Sequence, residues 1–428
     1  MKKRFFSFNI LFMIFLLSST LFFSNNSYID VFRRYHQPVV VNSEPSVQII
    51  REPINYEKVN SELYQKFEIF DGFVGFEMRE LESNKTVSQF NSEKYFIPAS
   101  LTKLITAYAV LETFNQYDRI KTSIYNDSPI QNFYTGNLYI KGYGNPVMTI
   151  EDYKKFLLEG LKEKNISRIY GNIYLDFSFF EDENFGIGWM WDDPQPQISA
   201  ITIWQNNHDI FRYKTQNEIK DYIAFLTASY LKEFDIQLYG RILFSETPSN
   251  LNTLHSHNSM TIEDIIKVML KKSDNQISEH MFRLVSSKDF EKANSENSIK
   301  KIESLINDTL FISNNEYILK DGTGLSMYNM FKPSFFNDLH RKMYSYYSNN
   351  YFDYLANPYE ESTVKNRFDY DLWVKTGTLV SQSSISGIMK TKKGNYYIIT
   401  LIENNYILRN SGVKIFENEI INFIYENY

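Results

Sequence analysis

Apolar and polar positions alternate in short runs between Tyr64 and Ile97, as in Phe73-Val74-Gly75-Phe76-Glu77-Met78 and Val87-Ser88-Gln89-Phe90, and this period of two predicts an antiparallel hairpin. Pro98 closes the extended stretch. Beyond it Leu101, Leu104, Ile105, Tyr108, Val110 and Leu111 recur at helical spacing, so Ser100 falls in the first turn of a mostly apolar helix. From about Tyr125 to His255 short strands such as Leu138-Tyr139-Ile140 and Ile173-Tyr174-Leu175 surround an amphipathic helix over Ile150 to Lys162, which reads as an inserted domain. At Thr261-Ile262-Glu263-Asp264 a capping box opens a helix with Ile262, Ile265, Ile266, Met269 and Leu270 on one face. That helix runs into Ser273-Asp274-Asn275, and Ile277, Met281 and Leu284 predict another helix after it. Near the end of the chain Leu372-Trp373-Val374 leads into two further strands, Ser384 to Lys390 and Tyr396 to Ile402, joined by Lys392-Lys393-Gly394-Asn395. A helix from about Val413 to Tyr425 would cover one face of that meander.

The pattern predicts an α+β fold, an antiparallel sheet flanked by helices and interrupted by a smaller inserted α/β domain. Residues 61–124 and 256–428 form the two parts of the main domain and residues 125–255 the insert. Upstream, Lys2, Lys3 and Arg4 precede an apolar run from Phe5 to Phe23 with the character of an export signal. No clean small-x-small cleavage site follows, and the run is near the lower limit of about 17 residues for a spanning helix. Residues 1–27 therefore read equally as a removed signal peptide and as a retained membrane anchor, and residues 28–60 as a polar tether. Either reading places the folded part outside the cytoplasm.

With 428 residues the chain is long enough for two or three domains and a large core. A net charge of -6 without long basic tracts gives no footprint for nucleic acid. The chain has no cysteine, which excludes disulfides, thiolate nucleophiles and cysteine-ligated metals, so a covalent catalyst must use oxygen or nitrogen. Aromatic residues make up 17%, which a carbohydrate-stacking surface would explain; biased residue usage explains it more simply.

Candidate chemistry centres on three short motifs: Ser100-x-x-Lys103, Ser273-Asp274-Asn275 and Lys375-Thr376-Gly377. The first is weak alone, since the same pattern recurs at Ser229/Lys232, Ser298/Lys301, Ser362/Lys365 and Ser411/Lys414. Lys-Thr-Gly occurs once, and a given tripeptide arises by chance in about one chain in twenty of this length. Read as chemistry, positions i and i+3 of a helix share a face, so Lys103 can remove the Ser100 proton. The lysine must then be neutral, and moving its pKa from about 10.4 to about 7 costs roughly 4 to 5 kcal/mol. The apolar helix and a second lysine, Lys375, would supply that. Ser273 can relay a proton to a leaving amine, Asn275 can hold a peptide carbonyl, and Lys375 can fix a carboxylate. Gly377 lets the backbone approach closely, and the amides of Ser100 and Thr378 are candidates for an oxyanion hole. Each motif also has a plain structural reading: a helix N-terminus with a solvated lysine, an interhelical turn, a strand end closed by glycine.

Two other signals rank lower. His255 and His257 share a strand face but have no third ligand nearby in sequence. Asp192-Asp193 after Trp189-Met190-Trp191 suggests paired carboxylates, yet adjacent aspartates on a turn usually face apart.

The chain resembles the class C low-molecular-mass penicillin-binding proteins, a D-alanyl-D-alanine carboxypeptidase/endopeptidase family. The likeness is carried by Pro98-Ala99-Ser100-Leu101-Thr102-Lys103, Met269-Leu270-Lys271-Lys272-Ser273-Asp274-Asn275, Asp321-Gly322-Thr323-Gly324-Leu325-Ser326 and Lys375-Thr376-Gly377-Thr378-Leu379. Within the insert it is carried by Lys141-Gly142-Tyr143-Gly144-Asn145-Pro146 and Gly188-Trp189-Met190-Trp191-Asp192-Asp193. It covers most of the chain after about residue 60, and the wide separation of Ser100 from Ser273 matches a family with extra domains between those motifs. The insert looks shorter than in the longer members.

The resemblance implies a β-lactamase/transpeptidase-like fold and a serine-type D-Ala-D-Ala carboxypeptidase of the periplasm, with D,D-endopeptidase action on crosslinks as a second activity. Its catalytic residues would be Ser100, Lys103 and Ser273, with Asn275, Lys375, Thr376, Gly377 and Thr378 binding substrate and no metal or organic cofactor. Its partners would be the peptidoglycan stem peptide and β-lactams, which acylate Ser100. Competing readings are a β-lactamase-like hydrolase and a non-catalytic penicillin-sensing or wall-binding module. Oligomeric state is left open.

Overall fold

The structure, a computed structural model, describes residues 54–428 except 131–132, 135, 182–185, 193–194, 197 and 205–215. The expected leader, the tether as far as residue 53, and Asp193 lie outside the described residues. Helix α1 (Tyr56–Glu68) is capped by Asn55, whose side chain accepts from the Lys58 amide at 3.1 Å. It occupies the end of the stretch read as tether and the start of the stretch read as hairpin, a correction to both. Spacing explains it: Leu63 and Phe67 lie four apart and are both buried, and the Phe67 ring sits 5.2 Å from Phe76. The segment therefore covers the sheet as a helix.

Strands β1 (Phe73–Glu80) and β2 (Thr86–Phe90) form the expected hairpin. A 3₁₀ turn over Ala99–Leu101 then leads into α2 (Thr102–Thr113), which is buried from Thr102 through Val110.

The insert follows: β3 (Arg119–Asn126), β4 (Leu138–Gly142), α3 (Ile150–Leu157) with a π-helical turn over Leu158–Lys162, β5 (Arg168–Ile169), β6 (Ile173–Asp176), α4 (Gln216–Glu233), β7 (Gln237–Leu238), β8 (Ile242–Phe244) and β9 (Asn252–Thr261). Its five-stranded sheet runs β8-β6-β4-β3-β9 and is mixed, with β4, β6 and β8 parallel and β3 antiparallel to both neighbours. Helices α3 and α4 close a core that includes Ile124, Leu138, Ile140, Ile173 and Leu175. Strands β3 and β9 pair from Asn126↔Asn252 back to Arg119↔Thr261, so this sheet extends beyond residues 125–255 on both sides. Strand pairing continues where hydrophobic alternation fades into Arg119 and Lys121, which is why the boundary was not visible in sequence.

The chain returns through α5 (Ile262–Lys272) and α6 (Asn275–Leu284), then α7 (Ser295–Leu310), α8 (Pro333–Tyr347), the meander β10 (Leu372–Leu379), β11 (Gln382–Lys390) and β12 (Tyr396–Asn404), and α9 (Asn410–Asn427). The N-terminal hairpin joins that meander through β1 and β12, giving a fully antiparallel sheet in the order β10-β11-β12-β1-β2. Helices α2, α5, α6 and α8 share the core on one face, while α1 and α9 share the core on the other. This is the α+β arrangement that the pattern predicts, and it leaves β10 at the sheet edge beside the start of α2.

Candidate active site

Ser100 lies in the 3₁₀ turn just before α2, one step earlier than the helical first turn expected from periodicity. Backbone geometry explains the shift, because Ala99 has φ of +50°, a left-handed value that costs a non-glycine residue about 1 kcal/mol. The turn is gripped from two sides. Gly324 (φ +84°) packs so closely that a Cβ there would stand 1.8 Å from the Ala99 carbonyl oxygen, and a Cβ on Gly377 would stand 2.9 Å from the Ser100 nitrogen. Ser384 Oγ donates to the Pro98 carbonyl at 2.8 Å. Gly377 thus serves the approach of β10 to the serine turn itself.

Lys103 Nζ has three partners: Ser100 Oγ at 2.8 Å, Asn275 Oδ1 at 2.7 Å and the Thr323 carbonyl at 2.6 Å. A neutral amine has two N–H groups and one lone pair, so it can donate to the two carbonyl oxygens and accept from the serine hydroxyl. The side chain has 0% exposure, and this burial lowers its pKa to about 8 against the opposing pull of Asp321, Asp274 and Glu279. A lysine so placed is poised to take a proton.

Ser273 and Asn275 sit where α5 ends and α6 begins. Thr261 caps α5 by accepting from the Asp264 amide at 3.2 Å, as the sequence predicts. Ser273 then takes a left-handed conformation (φ 58°, ψ 37°) and Asp274 caps α6 by accepting from Ile277 N at 2.8 Å. This pair of caps presents Ser273 Oγ to Lys375 Nζ at 2.7 Å. Lys375 is fully buried on β10, and its pKa is held well below the usual range by burial and then by Lys103 and Lys414.

Strand β10 exchanges hydrogen bonds with Ala356 at Val374, 2.9 and 2.8 Å, so Val374 turns its N–H and C=O away from β11. By the two-residue alternation of an antiparallel strand, Thr376 and Thr378 do the same. The Thr378 amide therefore faces the same cleft as the Ser100 turn. Thr376 Oγ1 is 2.8 Å from Thr363 Oγ1, a partner with no sequence signal.

The structure thus brings Ser100, Lys103, Ser273, Asn275 and Lys375 into one cluster, with Gly377 and Thr378 at its rim. Sequence reasoning missed the Thr323 carbonyl. Its only trace was the Asp321-Gly322-Thr323-Gly324 run, where two glycines flag a tight loop. That loop is pinned by Thr106 Oγ1 and Ser278 Oγ, which donate to the Gly322 carbonyl at 2.8 and 2.6 Å. The two histidines lie elsewhere, on β9. His255 Nε2 is 3.4 Å from Glu159 Oε2, an acidic neighbour brought by the π-helical turn, and burial lowers the pKa of both His255 and His257. Among the described residues no group of three metal-binding side chains is present.

Comparison with known proteins settles the family. The sequence pattern of the D-Ala-D-Ala carboxypeptidase 3 (S13) family matches residues 56–229 and 205–424. The chain belongs to this family. A relative, the D-alanyl-D-alanine carboxypeptidase DacB of Haemophilus influenzae, is 24% identical over 330 residues, 61% of this chain and 68% of that protein. The crystal structure of penicillin-binding protein 4 (dacB) from Haemophilus influenzae superimposes with a TM-score of 0.73 at 21% identity, covering 87% of this chain and 100% of the other. A predatory endopeptidase from Bdellovibrio bacteriovorus, in complex with an immunity protein, has the same fold, with a TM-score of 0.58 at 16% identity over 82% of this chain and 94% of the other. The S13 member described here is a serine-type D-Ala-D-Ala carboxypeptidase, the enzyme class that the sequence resemblance implies.

Proposed function

We propose that Ser100 is the nucleophile and Lys103 its base in hydrolysis of the terminal D-Ala-D-Ala bond of peptidoglycan stem peptides. The observation that carries the assignment is the buried Lys103 amine at 2.8 Å from Ser100 Oγ, with its two other partners fixed as acceptors. Ser100 Oγ attacks the carbonyl carbon of the penultimate D-alanine and its proton passes to Lys103. Charge on the carbonyl oxygen is met by the amides of Ser100 and Thr378. As the C–N bond breaks, Ser273, hydrogen-bonded to Lys375, passes on to the departing D-alanine amine the proton that Lys103 took from Ser100, so that Ser273 is again a hydroxyl and Lys103 again a neutral amine. Water then attacks the acyl-serine ester, with Lys103 accepting its proton and returning it to Ser100 Oγ as the ester C–O bond breaks, which releases the shortened peptide and restores the enzyme.

Asn275 orients the peptide through its amide nitrogen, since its Oδ1 is held by Lys103. Lys375, Thr376 and Thr378 hold the terminal carboxylate, with Gly377 keeping β10 close. The same chemistry on a crosslinked stem peptide gives D,D-endopeptidase action. β-Lactams, which mimic the dipeptide end, acylate Ser100; a solved structure of penicillin-binding protein 4 carries a bound β-lactam. The substrate and the export-type leader support a periplasmic location, with residues 5–23 either removed or retained as an anchor. Among the described residues no helix is long and apolar enough to cross a membrane. The domain plan is a main domain split around an insert. Incubation with purified muropeptides tests the reading: D-alanine is released from pentapeptide, and absence of that release from folded protein would reject it.

A further inference from the structure

Two tryptophans of the inserted segment reach the Lys103 centre without belonging to any of its motifs. Lys103 is faced by Asp321 from the 321–326 loop, Asp274 from the N-cap of α6, Glu279 from the middle of that helix, and Lys375 from β10. Three carboxylates around one amine favour its charged form, which is useless as a base. Each carboxylate, however, has a donor that spreads its charge. Glu279 takes Arg283 Nη1 and the Gly322 amide, both at 3.0 Å. Asp321 takes Trp189 Nε1 at 2.6 Å on Oδ2, together with Thr323 Oγ1 and the Ser326 amide at 2.9 Å. Its Oδ1 takes the Gly324 amide at 2.9 Å and Asn329 Nδ2 at 2.8 Å. Asp274 takes Trp204 Nε1 at 3.0 Å on the oxygen that does not cap α6.

Both indoles are anchored independently of the lysine. The Met327 amide donates to the Gly188 carbonyl at 3.0 Å and Ser326 Oγ to the Ile187 carbonyl at 2.7 Å, fixing the loop before Trp189. The Trp204 amide donates to the Met148 carbonyl at 2.7 Å, and Gln276 Nε2 to Thr202 Oγ1 at 3.1 Å, fixing Trp204 beside α6. An indole N–H donates only and does not titrate, so it lends partial positive charge at every pH.

We propose that Trp189 and Trp204 are positioning residues for acylation, holding and damping the two aspartates that face Lys103 so that its amine is available as a base near neutral pH. The inserted domain then has a direct part in the chemistry. This inference rests on the reading of Lys103 as the base. Exchanging either tryptophan for phenylalanine keeps an aromatic side chain and deletes the donor, which strengthens the aspartate's pull on the Lys103 proton.

The test is the second-order rate of acylation of the full chain by a fluorescent penicillin between pH 5 and 10, for wild type, Trp189→Phe and Trp204→Phe, with melting temperatures alongside. In each variant the acid limb moves up by about half a pH unit, which slows acylation about threefold on that limb and leaves the alkaline plateau unchanged. A limb that stays at its wild-type pH in both variants overturns the proposal, whether the rate is unchanged or falls equally at every pH, as a merely structural role would give. If Trp189→Phe fails to fold, Trp204→Phe decides alone. Failure of the underlying reading looks different: wild type and Ser100→Ala would label alike.

Discussion

Lys375 Nζ stands 2.7 Å from Ser273 Oγ and donates also to its neighbour's carbonyl, Thr376 O, at 2.6 Å. A lysine on the sheet edge is thereby bound to a hydroxyl that the chain places between two helices. Replacing Ser273 by alanine leaves Lys375 buried with a donor unmet and removes the relay to the leaving amine. D-Alanine release from pentapeptide is expected to fall by about 10²-fold or more in Ser273→Ala. Unchanged kcat with a raised KM would assign Ser273 to binding instead.

Ser100→Ala should abolish labelling by penicillin while leaving the melting temperature near that of wild type, since Lys103 keeps its two carbonyl partners, Asn275 Oδ1 and Thr323 O, when the hydroxyl is removed. Lys103→Ala should still be labelled, about 10³-fold more slowly, as expected for loss of a general base. A mass increment on intact protein distinguishes slow acylation from none.

Acylation should quicken with rising pH through about 8, where Lys103 passes from ammonium to amine. The same group contributes to stability with a definite sign. Between about 8 and the unfolded value near 10.4 the unfolded chain binds more protons, so this lysine's contribution to stability rises with pH across that window. Lys103→Met should remove that slope, read as the difference in melting temperature between pH 7 and pH 10.

Gly377→Ala tests the clamp on the serine turn. The new methyl would stand 2.3 Å from Ser384 Oγ, 2.8 Å from the Pro98 carbonyl and 2.9 Å from the Ser100 amide. The strand must retreat, displacing the Thr378 donor, and loss of one such donor costs about 10² to 10³ in rate. The penicillin labelling rate should fall by that order; a variant labelled at the wild-type rate would show that β10 need not lie so close.

Glu403 on β12 is fully buried beside Glu417, and neither of its carboxylate oxygens has a hydrogen-bond partner among the described residues. Burial, then the Glu417 charge, raises its pKa well above the carboxylate range. A raised acid destabilises the fold as pH climbs from the unfolded value of about 4.3 toward the folded one. Glu403→Gln should therefore flatten the decline in melting temperature between pH 5 and pH 8; an unaltered decline would show that Glu403 does not cause it.

The alternation from Phe73 and the helical period from Leu101 announced the hairpin and α2, although β1 and most of α2 are buried on every face. Residues 56–68 were misread because only Leu63 and Phe67 among them are buried, too few apolar positions to mark a helical stripe against a polar background. Ser100, Lys103, Ser273, Asn275 and Lys375 were legible because their chemistry resides in side chains at short fixed spacings. The Thr323 contact was not, since a carbonyl is contributed by any residue type. Trp189 and Trp204 were hidden for another reason: each meets its aspartate across a long stretch of chain, and no local pattern encodes that meeting.

Beyond Val374, strand β10 keeps its outer flank toward the cleft. An extended peptide entering there can add itself to the sheet as a sixth strand, bonded main chain to main chain. Recognition of this kind takes its affinity from the main chain and leaves discrimination between side chains to the pockets that flank the strand.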